Sequence, residues 1–380
     1  MNVKICIWMN IPSHHQAAFF KALSSRKDVD LQVRYYEKVP DIRKKLGWKD
    51  DNNLQLNQKY IDSVDIIEIS LPDWEERIHI VPGFSAPFLK KLIDLIISKN
   101  VRWIHWSERG GVSLAKLLQF NYGLINLVYP IFLYLKGYKK YAKQINQHAL
   151  GAFAIGTMAK QDFLHWGVNN KKIEFLPYSL DALNQPKEIS SKLKKTNEKI
   201  FMYIGALNKR KGINLLLNAF HKLLDEACQW KLVLVGDDRS DGEYVKQAEV
   251  LGIAERIEFA GVVESSKINE YLIQADVFIL PTRFDGWGAV LNEAASLGKP
   301  MISTDQAGSA YHLIKDGENG FMVKAGDTNT LSKAMQFYID CPEQIAIHGK
   351  KSLEIFQNFT PEKSAELFIS NINKFLEQKS

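Results

Sequence analysis

The chain has 380 residues, 46% of them hydrophobic and 24% charged, with 23 Gly and 12 Pro. This is a globular composition in a chain too long for one core, which excludes a disordered or fibrous protein and predicts two domains. The formal net charge of +6 suits phosphate-bearing ligands or an anionic membrane surface, but falls short of what a nucleic-acid binder carries, so no nucleic-acid partner is expected.

Val3–Met9 reads as a first strand, because it is a short apolar run without the small-residue cleavage site of a signal peptide. Pro12 and Ser13 break it, and Phe19, Phe20 and Leu23 follow at helical spacing, giving a βα unit. Strands are predicted at 31–36, 78–81 and 101–106 and a helix at 88–97, while the polar stretch 37–60 reads as an irregular surface loop. A long helical pattern covers 113–148, and residues 152–155 start another βα unit. The longest apolar stretch, 123–135, is interrupted by Asn126 and Pro130 and is shorter than the roughly 20 residues that span a bilayer.

The lysine-rich stretch 184–199 with Pro186 is the predicted linker. The alternation then resumes, with strands at 200–204, 231–235, 257–259, 277–280 and 300–303. Helices at 214–224, 244–251, 268–273 and 289–297 separate them, and only helices are expected beyond. Such alternation predicts an α/β fold of two doubly wound parallel sheets. The expected domains are 1–183, 184–360 and a C-terminal helix, 361–380, returning to the first domain. Cys6, Cys228 and Cys341 are widely spaced and form no zinc or disulfide framework, which fits a cytoplasmic protein.

In doubly wound folds ligands collect beyond the carboxyl ends of the strands, so the loops there carry the chemistry. After 200–204 comes Gly205-Ala206-Leu207-Asn208-Lys209-Arg210-Lys211-Gly212 and then a helix. Three adjacent cations and exposed helix amides make a phosphate site, the alternative being a solvated basic turn. After Val277–Leu280 comes Pro281-Thr282-Arg283-Phe284-Asp285-Gly286-Trp287-Gly288. Two glycines around a Trp make poor core filler and leave amides for an anionic or hydroxyl-rich ligand. Glu293 lies among Ala289, Val290, Leu291, Ala294 and Ala295, where an unpaired carboxylate is costly, so it needs either a ligand or neighbouring protein donors. Asp237 and Asp238 read as a solvated turn, since two adjacent acids without further ligands do not make a metal site.

The run 280–323, with Asn292-Glu293-Ala294, Gly298-Lys299-Pro300 and Gly317-Glu318-Asn319-Gly320, resembles the donor-binding half of the GT4-type retaining glycosyltransferases, the "glycosyl transferases group 1". Their fold is GT-B, two Rossmann-like domains facing a central cleft. The family's two acids separated by seven residues are matched by Asp285 and Glu293, with Asp where Glu is commoner. Its Gly-Arg-Leu and Lys-Gly are matched by Gly205, Leu207, Lys211 and Gly212. Ala206 replaces the arginine, and either Arg210 or Lys209 stands in for its charge.

The resemblance implies that Lys211 and Arg210 hold the diphosphate of a UDP- or GDP-sugar and Glu293 the ribose. Asp285 and the amides of Gly286, Trp287 and Gly288 would hold the transferred sugar, with the base near Gly261 and Val262. It also implies a glycan or lipid-linked acceptor, work at the inner face of a bacterial membrane in cell-surface polysaccharide synthesis, and no metal or cofactor, because fixed cations and helix dipoles can stabilise the leaving diphosphate. The rival readings are a nucleotide-sugar epimerase and a sugar-nucleotide binder without turnover.

On the acceptor side, Ser13, His14, His15 and Gln16 are expected at the cleft edge. The loop after 101–106 adds His105 and Ser107 there and Glu108 as a second catalytic candidate beside Asp285. Between 113 and 148, Leu117, Phe120, Tyr129, Phe132 and Tyr134 precede Lys136, Lys139, Lys140 and Lys143. This pattern fits either core packing or peripheral contact with an anionic membrane.

Overall fold

The computed structural model describes residues 2–44, 57–84, 86–110, 115, 122–183, 198–223, 229–264 and 267–378. The chain forms two compact units, one of Met1–Leu114, Asn121–Leu180 and Thr360–Ser380, the other of Ala115–Phe120 and Asp181–Phe359. The predicted linker, 184–197 of it, the middle of the 37–60 loop and the start of the 113–148 helix lie outside the described residues.

The first unit is a seven-stranded sheet in the order β3-β2-β1-β4-β5-β6-β7. Its strands are β1 (Val3–Met9), β2 (Val29–Tyr35), β3 (Gln58–Tyr60), β4 (Ile78–Val81), β5 (Trp103–Ser107), β6 (Gly151–Ala154) and β7 (Ile173–Phe175), all paired in parallel. β1 can occupy the centre because its apolar run has no polar face: Ile5, Cys6, Ile7 and Trp8 are 0% exposed, and each such side chain contributes about 1.5–3 kcal/mol on burial. The helix Pro361–Glu377 starts where Thr360 caps Lys363 N and Pro361 fixes the first turn. Its Phe368 meets Phe19 edge-on at 5.7 Å and Phe153 at 5.2 Å, which places the C-terminal helix in this unit.

The second unit is a six-stranded parallel sheet in the order β10-β9-β8-β11-β12-β13. Its strands are β8 (Lys199–Ile204), β9 (Trp230–Val235), β10 (Ile257–Gly261), β11 (Val277–Leu280), β12 (Met301–Thr304) and β13 (Gly320–Val323). From β8 the chain builds outward to β10, then returns to the other side of β8 and builds outward through β13. The reversal between β8 and β11 is a topological switch point, where the crossovers leave on opposite sides and a crevice opens at the strand ends.

β3 corrects the expectation of a loop, β13 that of helices only, and β7 lies where no element is expected. Each is an edge strand of three or four residues; it is held by one ladder to a neighbour and carries too short a pattern to read locally. The 113–148 helix also differs in detail. It runs as Tyr122–Gly137 with Pro130 inside, passes through a π-helical turn at Tyr138–Ala142, and ends with Lys143–His148.

Candidate functional site

The loops after β8 and β11 meet at the switch point of the second unit. Asn208 starts the first by accepting from Lys211 N with its side chain at 3.0 Å, a capping arrangement that tightens Lys209–Lys211 into a single turn. Gly212 then adopts φ 77° and starts the helix Ile213–His221. A Cβ on Gly212 would lie 2.0 Å from Pro281 O, so the close approach of the loops requires glycine.

Hydrogen bonds stitch the two loops together. Arg283 N donates to Arg210 O at 2.7 Å, Thr282 Oγ1 to the same carbonyl at 3.2 Å, and Arg210 Nη1 to Phe284 O at 2.8 Å. Arg283 Nη1 reaches Lys209 O and Asn214 Oδ1, both at 2.8 Å. Lys211 Nζ donates to Asp285 Oδ2, and Arg210 Nη1 stands 3.8 Å from Asp285 Oδ1. Lys211 and Asp285 are largely buried, with side chains 13% and 14% exposed, so their attraction is screened far less than that of a surface pair. Of the two alternatives for the missing arginine, Arg210 is the one at the junction, whereas Lys209 is exposed.

Asp285 is fixed from behind by its amide, which donates to Gln306 O at 2.9 Å. Beyond it, the amides of Gly286, Gly288 and Ala289 donate to no acceptor among the described residues. Donors so placed beside two cations form a site for a polyanion or a hydroxyl-rich group.

Trp287 corrects the sequence expectation: its side chain is core filler, 1% exposed, stacked on His312 at 5.6 Å and donating from Nε1 to Asn292 Oδ1 at 2.8 Å. It anchors the loop, and its carbonyl accepts from Ser309 N at 2.8 Å. Burial pushes the Glu293 carboxyl up to about 7. Gly205, at the end of β8, keeps a φ of 149°. Gly261 ends β10 at φ 68° with open space where a Cβ would stand, and Val262 beside it is 52% exposed. Asp237 and Asp238 serve their own turn, pairing Arg239 at 2.9 Å and accepting from Ser240. Among the described residues no group of three or more His, Cys, Asp or Glu could hold a metal.

In the first unit, His105 contradicts its expected place at a cleft edge. It is 1% exposed, stacked on Phe84 at 5.5 Å and packed against Phe163 and Trp166, and burial lowers it to about 3. It is therefore neutral at physiological pH and serves the aromatic core; its Nε2 lies 2.9 Å from Ser107 Oγ. Gln16 is likewise buried, 4% exposed, rather than presented at an edge. Ser13 precedes the helix His14–Ser24 without a side-chain cap, and the side chains of His14 and His15 lie outside the described residues. Glu108, at the strand end, bonds the Tyr178 side chain; burial first, and then this carboxylate, hold the Tyr178 hydroxyl far above its usual range.

Asn208, Thr282 and Arg283 set the junction without having been singled out by sequence. Asn208 had a readable signal, a capping residue immediately before a turn of cations. Thr282 and Arg283 had none, because their partners are 72 and 69 residues away.

Residues 184–355 match the family model of the glycosyl transferases group 1. A lipopolysaccharide core biosynthesis mannosyltransferase of Rhizobium leguminosarum bv. viciae is 30% identical over 180 residues, 45% of this chain and 50% of that protein. The capsular polysaccharide biosynthesis glycosyltransferase CapM of Staphylococcus aureus is 25% identical over 271 residues, 70% of each chain. With the mannosyltransferase and others, the match spans about half the relative's length. The crystal structure of Anabaena HepE in complex with UDP superposes with a TM-score of 0.72 at 17% identity, covering 98% of this chain and 100% of that one. Sucrose-phosphate synthase of Thermosynechococcus elongatus gives 0.71 at 18%, covering 100% of both. Over residues 184–355 the chain is thus similar to the glycosyl transferases group 1 family, and its two Rossmann-like units have the GT-B fold.

Proposed function

We propose that the chain is a GT4-type retaining glycosyltransferase that moves a hexose from a nucleoside-diphosphate sugar to a glycan or lipid-linked acceptor in cell-surface polysaccharide synthesis. The observation that carries this reading is the junction at the second unit's switch point, where Lys211, Arg210 and Asp285 are brought together. Relatives named for lipopolysaccharide core and capsular polysaccharide biosynthesis support the process, and HepE, solved with UDP and with UDP-glucose, supports the donor class.

In this mechanism Lys211 and Arg210 neutralise the charge that grows on the diphosphate as the glycosidic bond breaks. The free amides of Gly286 and Gly288 and the Asp285 carboxylate orient the sugar hydroxyls, so that the anomeric carbon is held while the leaving phosphate accepts the acceptor's proton on the same face. Glu293 accepts from the ribose hydroxyls. Cations fixed by the fold do the work a divalent ion does elsewhere, so activity is expected to persist in chelator.

The test is a thermal-shift series with UDP, GDP, UDP-glucose and a nucleoside monophosphate, followed by product analysis. A ligand that binds only the native state raises the melting temperature by mass action, about 2.7 kcal/mol at a hundredfold excess over Kd. A diphosphate-dependent shift is the expected result; no shift with any diphosphate removes the reading.

The Glu293 carboxyl adds a pH signature. Its folded value of about 7 lies above the ordinary 4.5, so the native state holds the proton more tightly and stability falls as pH rises from the ordinary value to about 7. Glu293→Gln is expected to abolish that fall and to be the more stable form at pH 8 by about 3 kcal/mol, measured by denaturant unfolding. UDP-glucose has a diphosphate diester that does not titrate near neutrality. Its affinity for the unmutated protein is expected to rise with pH up to about 7 and then level off, since the ribose needs an ionised acceptor. A flat affinity profile in calorimetry removes Glu293 from the ribose.

A further inference from the structure

We propose that the outer face of the helix Tyr122–Gly137 docks on an anionic lipid bilayer and thereby holds the loop after β5 at the membrane surface. The proposal deepens the acceptor side of the reading above and rests on that reading only for the purpose docking serves.

The helix is apolar on two opposite faces. Inward, Tyr129 and Leu133 are 6% and 4% exposed, and a Cβ on Gly137 would lie 2.3 Å from the Trp166 ring. Outward, Leu127, Ile131 and Leu135 follow at four-residue steps and are 70%, 61% and 72% exposed, with Tyr134 and Tyr138 beside them at 49% and 43%. Lone exposed apolar side chains are ordinary, but a continuous stripe on one helix face is a contact surface. A helix apolar all round ordinarily buries both faces.

Charge selects the occupant. Between Glu108 and Asp162 the sequence has no acidic residue, while Lys116, Lys136, Lys139, Lys140 and Lys143 all fall there, in a chain whose whole net charge is +6. Lys136 and Lys143 are exposed, and Lys136 Nζ lies 5.1 Å from the Phe132 ring centroid, so its stem follows the apolar surface and the ammonium stands at the margin. An interface with hydrocarbon below and anionic headgroups above satisfies both the stripe and the lysines. The Tyr134 and Tyr138 rings, 5.3 Å apart, are amphipathic groups suited to headgroup level. Among the described residues no helix is long and apolar enough to cross a membrane, and these 16 residues rise only about 24 Å, so the helix lies in the interface.

The inward face joins this surface to the acceptor-side loop. Tyr129 OH donates to Gly110 O at 2.7 Å, and Asp162 Oδ2, 3.0 Å from the same hydroxyl, accepts from Gly110 N at 2.8 Å. A bilayer under Leu127 and Ile131 therefore fixes the height of Glu108, two residues before Gly110, above the plane in which a lipid-linked acceptor lies.

The experiment is sedimentation of the full chain with phosphatidylcholine vesicles, with and without phosphatidylglycerol. The unmutated protein is expected to bind the anionic vesicles preferentially. The triple variant Leu127→Ser, Ile131→Ser, Leu135→Ser should lose at least about tenfold in partitioning, and Lys136→Glu with Lys143→Glu should lose the preference for phosphatidylglycerol and its salt dependence. Both variants alter exposed positions outside the donor loops and should keep the UDP-induced thermal shift. No binding of the unmutated protein to anionic vesicles, or equal binding by the triple variant, overturns the proposal. So does an oligomer that the triple variant converts to monomer in sedimentation velocity, because a second copy then covers the stripe. Vesicle binding without any nucleotide shift would instead remove the transferase reading and leave the docking surface standing.

Discussion

Lys211→Ala is expected to lower kcat/KM for the donor by about 10²–10³-fold, the loss typical of removing one fixed donor from developing negative charge. The substitution also removes the partner of Asp285, whose side chain is only 14% exposed, and a nearly buried carboxylate left without its cation destabilises the fold by up to about 3 kcal/mol. Arg210 Nη1, 3.8 Å away, offsets part of this. The two effects separate in the double variant: adding Asp285→Asn to Lys211→Ala should restore the denaturation midpoint without restoring donor affinity in calorimetry. An unchanged Kd for UDP-glucose in Lys211→Ala would sink the assignment of the diphosphate to this junction.

Gly212→Ala is expected to destabilise the second unit by about 3 kcal/mol or more. It combines a non-glycine residue at φ 77° with a Cβ placed 2.0 Å from Pro281 O, where no rotamer change can relieve a backbone clash. Gly242 provides the control, since it has φ 83° and nothing within 4 Å of its Cβ position. Gly242→Ala should therefore carry the conformational cost alone, about 1 kcal/mol. Denaturant unfolding of the two variants measures the difference, and nucleotide-induced stabilisation should be lost in Gly212→Ala only. Equal destabilisation by both would mean that the contact between the loops contributes nothing.

The sequence by itself determined the fold class and singled out the two loops that the fold brings together. β1 from Ile5 onward and all of β11 are uninterrupted apolar runs, legible because a central parallel strand is buried on both faces and has no alternation to confuse. The cation loop after β8 and the glycine-flanked loop after β11 were legible because turn glycines, caps and clustered charge act within a few residues of where they are written. Local signals could not give strand order, and that order alone puts β8 beside β11 and makes their two loops, 74 residues apart, neighbours that pair Lys211 with Asp285. Nor could they give burial. His105 and Trp287 look like ligand-facing groups on a strand end and a glycine loop, yet both point into aromatic packing whose members come from distant elements. Which face of a residue meets solvent is decided by what the rest of the chain stacks against it, and that is a property of the assembled sheet and its crossovers.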